Sequence, residues 1–244
     1  MTTVLAIVKL ARALPHVLVG FFTILLVFPR ISPEQRQLRT QVWSLAMLRC
    51  IGIELIVKGN PAHMGPLLLV ANHMSWLDIT ALHAARFCRF VSKADIKKWP
   101  FIGVLASGTG TLFIERESRR DAMRVVQHMT QSLRAGDVLG VFPEGTTTDG
   151  TGLLKFHANL VQAAIAADAP IQPVALKFID TATGKCSTAP CYVGDDTLAE
   201  SVWRALTAPN IAVVIHFGEL QFAEGRDRRA WALALQHAVL DLRS

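Results

Sequence analysis

The chain has 244 residues, of which 51% are hydrophobic and 18% charged, with a formal net charge of +6 and a mean hydropathy of +0.35. That length suits one domain with a sizeable core, and the composition is apolar for a soluble enzyme yet far short of a polytopic membrane protein. The charge is uneven: residues 1–63 hold seven basic and two acidic residues, which leaves the remainder nearly neutral.

A basic, apolar N-terminal part points to an anionic membrane surface, where each basic residue is worth roughly 1 kcal/mol. Nucleic acid is set aside as a partner, because the basic residues stand beside long aliphatic runs and not among aromatics. The first apolar run, Val17 to Pro29, is 13 residues long, whereas a spanning helix needs about 20. A second, Val42 to Val57, is interrupted by Arg49 and Glu54. These lengths predict a two-helix membrane segment over residues 1–51 that dips into one leaflet. The alternative is a buried helical hairpin inside a soluble fold. Pro29-Arg30 stands where a signal peptide would carry small residues, so no secretory signal is expected. Cys50, Cys88, Cys186 and Cys191 show no metal or redox spacing and read as reduced thiols facing the cytosol. The expected location is therefore the cytoplasmic face of the membrane.

From residue 52 onward the pattern alternates. Runs that read as strands are Ile53–Val57, Leu67–Val70, Phe90–Val91, Thr111–Ile114, Val138–Phe142, Ile171–Phe178 and Ile211–Phe217. The clearest intervening helix runs from Arg119 to Ala135. Ser118 and Asp121 give it a capping signal, Ala122, Val126, Met129 and Leu133 share one face, and Gly136 closes it. Residues 52–244 are thus expected to form one α/β domain, with a mixed, largely parallel sheet flanked by helices. Residues 179–191 read as a surface loop, and "DRRAWALALQHAVLDL" as an amphipathic packing helix.

Chemistry enters where the run Leu67–Val70 breaks into Asn72-His73-Met74-Ser75-Trp76-Leu77-Asp78. Residues five apart on a regular helix lie about 140° apart, so His73 and Asp78 meet only if the chain bends between them. Ser75 and Asp78 supply such a bend as a helix-start signal. A carboxylate reaching back from the first helical turn would hold the imidazole in one tautomer, suited to taking a proton from a hydroxyl. There is no G-x-S-x-G elbow and no cysteine in a nucleophile context. The pair therefore points to a hydroxyl on the substrate, although H-x4-D by itself is more often structural. A second strand-to-loop passage is "VLGVFPEGTTTDG". There Pro143 ends pairing, and Glu144, Gly145, Thr146 and Thr147 offer polar groups to a ligand. A third, "GTGTLFIERES", puts Arg116 ahead of a helix start, a place suited to a phosphate or carboxylate.

Taken together, these stretches resemble the glycerophospholipid acyltransferase family typified by 1-acylglycerol-3-phosphate acyltransferases. N-H-x4-D is matched by Asn72, His73 and Asp78. G-x-x-F-I-[DE]-R is matched by Gly110, Phe113, Ile114, Glu115 and Arg116. F-P-E-G-T is matched from Phe142 to Thr146. The apolar pair before P-V is matched by Ile171, Pro173 and Val174, with Gln172 substituted. The resemblance covers roughly Ile53 to Leu220. It implies an O-acyltransferase that moves a fatty acyl group from acyl-CoA or acyl-carrier protein to the free hydroxyl of a lysophospholipid. The chief expected acceptor is 1-acyl-sn-glycerol-3-phosphate, giving phosphatidate.

By the same resemblance His73 is the general base, Asp78 orients it, and Lys93, Arg116, Glu144 and Gly145 lie at the acceptor. No metal and no cofactor are implied. One departure bears on specificity: the phosphate-binding version of the family carries arginine at the position of Thr147, and threonine cannot grip a phosphate bidentately. Another lysolipid, such as lyso-ornithine lipid, is therefore an open alternative. Lys155, where the family often has proline, is a candidate for restoring the charge. Two rival classes are a thioester or lipid hydrolase that uses the same base on water, and a lipid-binding scaffold indifferent to loss of His73.

Overall fold

The computed structural model describes residues 2–115 and 119–244. The first helix, α1 (Thr2–Phe22), continues through a π turn (Thr23–Val27) and a 3-10 turn (Phe28–Arg30), so that one apolar helical stretch runs from Thr2 to Arg30. The helix thus begins well before the apolar run that opens at Val17. Pro15 and His16 lie inside the helix, where the proline costs one backbone hydrogen bond without ending it. By length and composition the 29-residue stretch is long enough to cross a bilayer.

The second apolar segment also divides differently. Helix α2 (Pro33–Cys50) is capped by Ser32 and Gln35, and it ends as Gly52 takes a left-handed φ of +71°, after which the chain enters β1 (Ile53–Lys58). α1 and α2 are clasped where the His16 ring stacks on Trp43 at 5.1 Å. Trp43 Nε1 donates to the His16 carbonyl and His16 Nε2 to the Trp43 carbonyl, both at 2.9 Å. A Cβ on Gly20 would sit 2.5 Å from Trp43 Nε1, so only glycine allows the approach.

The other elements are β2 (Leu67–Ala71), α3 (Leu77–Ala85), β3 (Arg89–Lys93), α4 (Ile102–Gly108), β4 (Leu112–Ile114), α5 (Arg119–Arg134), β5 (Val138–Val141), α6 (Ala158–Ala167), β6 (Ile171–Asp180), α7 (Leu198–Thr207), β7 (Ile211–Phe217) and α8 (Arg228–Arg243). The seven strands form one sheet in the order β1-β7-β6-β2-β5-β3-β4, every pair parallel except β6 with β7. The expected mixed, mostly parallel α/β fold is present, and each run read as a strand is one. Ser118, the expected cap of α5, lies outside the described residues.

β2 is buried on both faces, as its unbroken apolar run requires. Leu67, Leu69 and Ala71 point into one cluster with residues of α1, α2, α3 and α7. Leu68 and Val70 point into the other, with residues of α5, α6 and α8. Period-two alternation in a central strand thus joins a three-layer sandwich. Met47, Leu48 and Ile51 of the N-terminal segment belong to the first cluster.

Gln172, the substituted residue of the fourth block, is buried in β6. It accepts from the Ala62 amide (3.0 Å) and donates to the carbonyls of Asn60 and Gly218 (2.8 Å each), tying the β1–β2 connection to the sheet. Gln172→Leu strands these three groups, and we expect a loss of about 2–4 kcal/mol in denaturant unfolding. An unchanged midpoint would show that the connection is held by other contacts.

Candidate active site

In α/β sheets, ligands bind at the carboxyl ends of parallel strands. Here β2, β5 and β3 lie side by side, and all deliver their sequence blocks to that edge. The side chain of Asn72, one residue past β2, continues the strand pairing. It donates to the Leu176 carbonyl (3.0 Å) and accepts from the Leu176 amide (2.7 Å). Asn72 thus anchors the loop and is 1% exposed.

The chain then turns, and Asp78, in the first turn of α3, reaches back. His73 Nδ1–H donates to Asp78 Oδ2 at 2.8 Å. The same oxygen accepts the amides of Met74 (2.6 Å) and Ser75 (2.8 Å). Ser75 Oγ accepts from the Leu77 amide at 3.2 Å, so the helix-start signal and the His–Asp contact share one turn. Asp78 is fully buried and His73 is 19% exposed. A carboxylate can only accept, which fixes the proton on Nδ1 and leaves Nε2 as the basic nitrogen.

The F-P-E-G-T loop packs directly on this turn. Phe142 stacks on the His73 ring with centroids 4.0 Å apart, and Phe90 stacks behind Phe142 at 5.5 Å. Glu144 is 4% exposed. Its Oε1 accepts the His73 amide and its Oε2 the Leu154 amide, both at 2.8 Å. Burial pushes its carboxyl pKa up, and the two amides work against that. Gly145 closes the turn with a φ of +75° and donates to the Phe142 carbonyl at 3.1 Å. Thr146 is exposed. The Thr147 hydroxyl donates to the Tyr192 carbonyl, the Tyr192 amide to the Met74 carbonyl (2.8 Å), and the Thr148 amide to the His73 carbonyl (2.9 Å).

Lys93 is exposed at the end of β3, in register with Ile114, so the second block comes to the same edge. Arg116 lies outside the described residues. Lys155 is exposed and directly follows Leu154.

The structure adds participants that the sequence did not single out. Arg243, from the last turn of α8, donates to the carbonyls of Gly150 and Gly152 (3.1 Å for the latter) and pins the far side of the threonine loop. Ser75 Oγ donates to the Pro190 carbonyl at 2.5 Å, so the segment before α7 walls the turn. These contacts span 90 residues or more and leave no local pattern. Cys191, in that wall, donates weakly to the Asp149 carbonyl (3.5 Å). Burial and the carboxylates of Asp78 and Asp149 push its thiol pKa up to about 12, which keeps it a protonated thiol and not a nucleophile.

The acyltransferase family model matches residues 49–177. The chain is 38% identical to a 1-acyl-sn-glycerol-3-phosphate acyltransferase of Neisseria gonorrhoeae, over 78% of this chain and 73% of that one. It is 37% identical to a lyso-ornithine lipid O-acyltransferase of Pseudomonas aeruginosa, over 84% and 78%. Its fold matches the crystal structure of the 1-acyl-sn-glycerophosphate acyltransferase of Thermotoga maritima with a TM-score of 0.68 at 16% identity, covering 100% of this chain and 97% of that one. A family match over more than half the chain, with relatives alike along most of their length, shows that this chain belongs to the acyltransferase family.

Proposed function

We propose that the protein transfers a fatty acyl group from the thioester of acyl-CoA or acyl-carrier protein to the free hydroxyl of a lysophospholipid. The observation that carries this is the buried Asp78 bonded to His73 Nδ1, with no hydrogen bond to Nε2 among the described residues, at the carboxyl edge of the sheet. Nε2 takes the proton of the acceptor hydroxyl as its oxygen attacks the thioester carbon. The Asp78 carboxylate stabilises the imidazolium, and the imidazolium returns the proton to the departing thiolate. The C–O bond of the new ester replaces the C–S bond, with no covalent acyl-enzyme.

The acceptor reaches this edge from a membrane surface. Ala6, Lys9 and Ala13 are buried, and Lys9 Nζ donates to the carbonyls of Leu206 (3.1 Å) and Ala208 (3.3 Å) at the end of α7. The other side of the helix exposes Val4, Leu5, Ile7, Leu14 and Leu18. A helix docked along the domain and bare on its outer side fits immersion in the plane of one leaflet. Phe21 meets Phe101 at 5.3 Å between centroids, and Trp99 and Phe101 are exposed. This apolar fringe thus reaches the loop after Lys93.

For the head group, 1-acyl-sn-glycerol-3-phosphate is the first reading, with Lys93 and Arg116 at its phosphate. One observation favours a second, a lyso-ornithine lipid: the Thr147 hydroxyl, at the phosphate-binding arginine's place, is spent on the Tyr192 carbonyl. The test is a panel of lysophosphatidate, lysophosphatidylethanolamine, lysophosphatidylcholine and lyso-ornithine lipid, each with both donors, using detergent-dispersed protein and His73→Ala as blank. Transfer chiefly to lysophosphatidate supports the first reading and transfer chiefly to lyso-ornithine lipid the second. No His73-dependent transfer to any acceptor contradicts both.

A further inference from the structure

We propose that Glu144, the acid of the F-P-E-G-T loop, is a positioning residue for the base and not a ligand of the acceptor head group. This rests on the reading of His73 as that base. Both carboxylate oxygens are already engaged, one by the His73 amide and one by the Leu154 amide, at 2.8 Å each. The group is 4% exposed, and among the described residues no lysine or arginine lies within ion-pair distance of it. A buried negative charge with its acceptor positions turned inward is poorly suited to an anionic head group, which it would repel.

It is well suited to holding backbone. The three successive amides of the catalytic turn are taken by two buried carboxylates: His73 by Glu144, and Met74 and Ser75 by Asp78. The His73 peptide is gripped at both ends by the same loop, since its carbonyl accepts the Thr148 amide at 2.9 Å. Phe142, two residues before Glu144, supplies the face on which the imidazole stacks. Asp78 therefore sets the ring's tautomer and tilt, while Glu144 sets where the ring's backbone stands. Its second oxygen fastens the far end of the loop, residues 145–153, so that loop closure and base placement depend on one side chain. A displacement of about 1 Å at a reacting group costs on the order of 100-fold in rate.

The experiment compares wild type, Glu144→Gln, Glu144→Asp and His73→Ala, all as full chains in detergent. Steady-state kinetics are run against the best acceptor of the panel, and amide hydrogen exchange is followed by mass spectrometry on the peptide that contains His73. Glutamine keeps the shape but must turn its NH2 toward one of the two amides, and aspartate keeps the charge but is too short to bridge both. The expected result is a kcat about 10- to 100-fold lower for Glu144→Gln with acceptor KM changed less than about twofold, a smaller loss for Glu144→Asp, and exchange at His73 accelerated about tenfold or more in Glu144→Gln. A raised acceptor KM at unchanged kcat, or unchanged exchange at His73, overturns the proposal. Transfer that survives in His73→Ala contradicts the functional reading instead, and the exchange result, measured without substrate, still reports on the clamp. If Glu144→Gln does not fold, Glu144→Asp carries the same kinetic and exchange comparison.

Discussion

Asp78→Asn will lower kcat by about 100- to 10,000-fold while leaving acceptor KM nearly unchanged. The asparagine oxygen can stand where Oδ2 stands and still receive the His73, Met74 and Ser75 N–H groups, with its NH2 in the place of Oδ1, a buried oxygen with no hydrogen-bond partner among the described residues. The turn then keeps its shape, but the negative charge that balances the imidazolium is gone. Asp78→Ala gives the comparison. It strands the buried amides of Met74 and Ser75, so it should lose stability as well as activity, by about 1–3 kcal/mol for each amide. Circular dichroism in denaturant with steady-state kinetics separates the two effects. A Asp78→Asn enzyme within a few-fold of wild type would show that the carboxylate is structural only.

The proposed membrane attachment gives the second large expected effect. Leu14 and Leu18 are 56% and 46% exposed on the outer side of α1. Neither belongs to a buried cluster, so replacing both with aspartate spares the core but sets two charges in the leaflet. Each costs roughly 2–3 kcal/mol, an estimate taken from transfer scales for charged residues in helices at membrane depth. Partition into anionic phosphatidylglycerol vesicles should fall by about 10³-fold or more, with unfolding in detergent unchanged. If the double variant sediments with vesicles as the wild type does, the exposed face does not meet the bilayer. The N-terminal helices would then be a hairpin of a soluble fold.

Much of this fold can be read from local pattern, for identifiable reasons. Apolar runs as short as Leu112–Ile114 stand out because Gly110 and the charged Glu115 bracket them, and α5 shows its helical period with a glycine at its end. The His73–Asp78 contact is legible because both residues sit within one turn whose bend Ser75 announces. The N-terminal boundaries were less so. Pro15 and His16 stand just before the apolar run at Val17, yet the proline is tolerated inside the helix and the histidine is satisfied by its clasp with Trp43, 27 positions away. Glu144 shows the same limit inside the site. Its place in the loop is plain from the motif, but its partners, His73 at 71 positions and Leu154 at 10, appear only once strands β2 and β5 are neighbours. Gln172, the substituted position of its block, is a buried three-bond tie whose partners no local pattern shows.

The central claim is that His73 activates the acceptor's hydroxyl and that the acyl group passes directly to it. The most direct measurement follows, in one reaction, thioester loss and acylated lipid formed, with and without lysolipid, for wild type and His73→Ala. The account predicts one acylated lipid per thioester consumed, negligible thioester loss without acceptor, and loss of both signals by about 100-fold or more in His73→Ala. Thioester consumption that proceeds without lysolipid would make the protein a hydrolase, and transfer that persists in His73→Ala would place the base elsewhere.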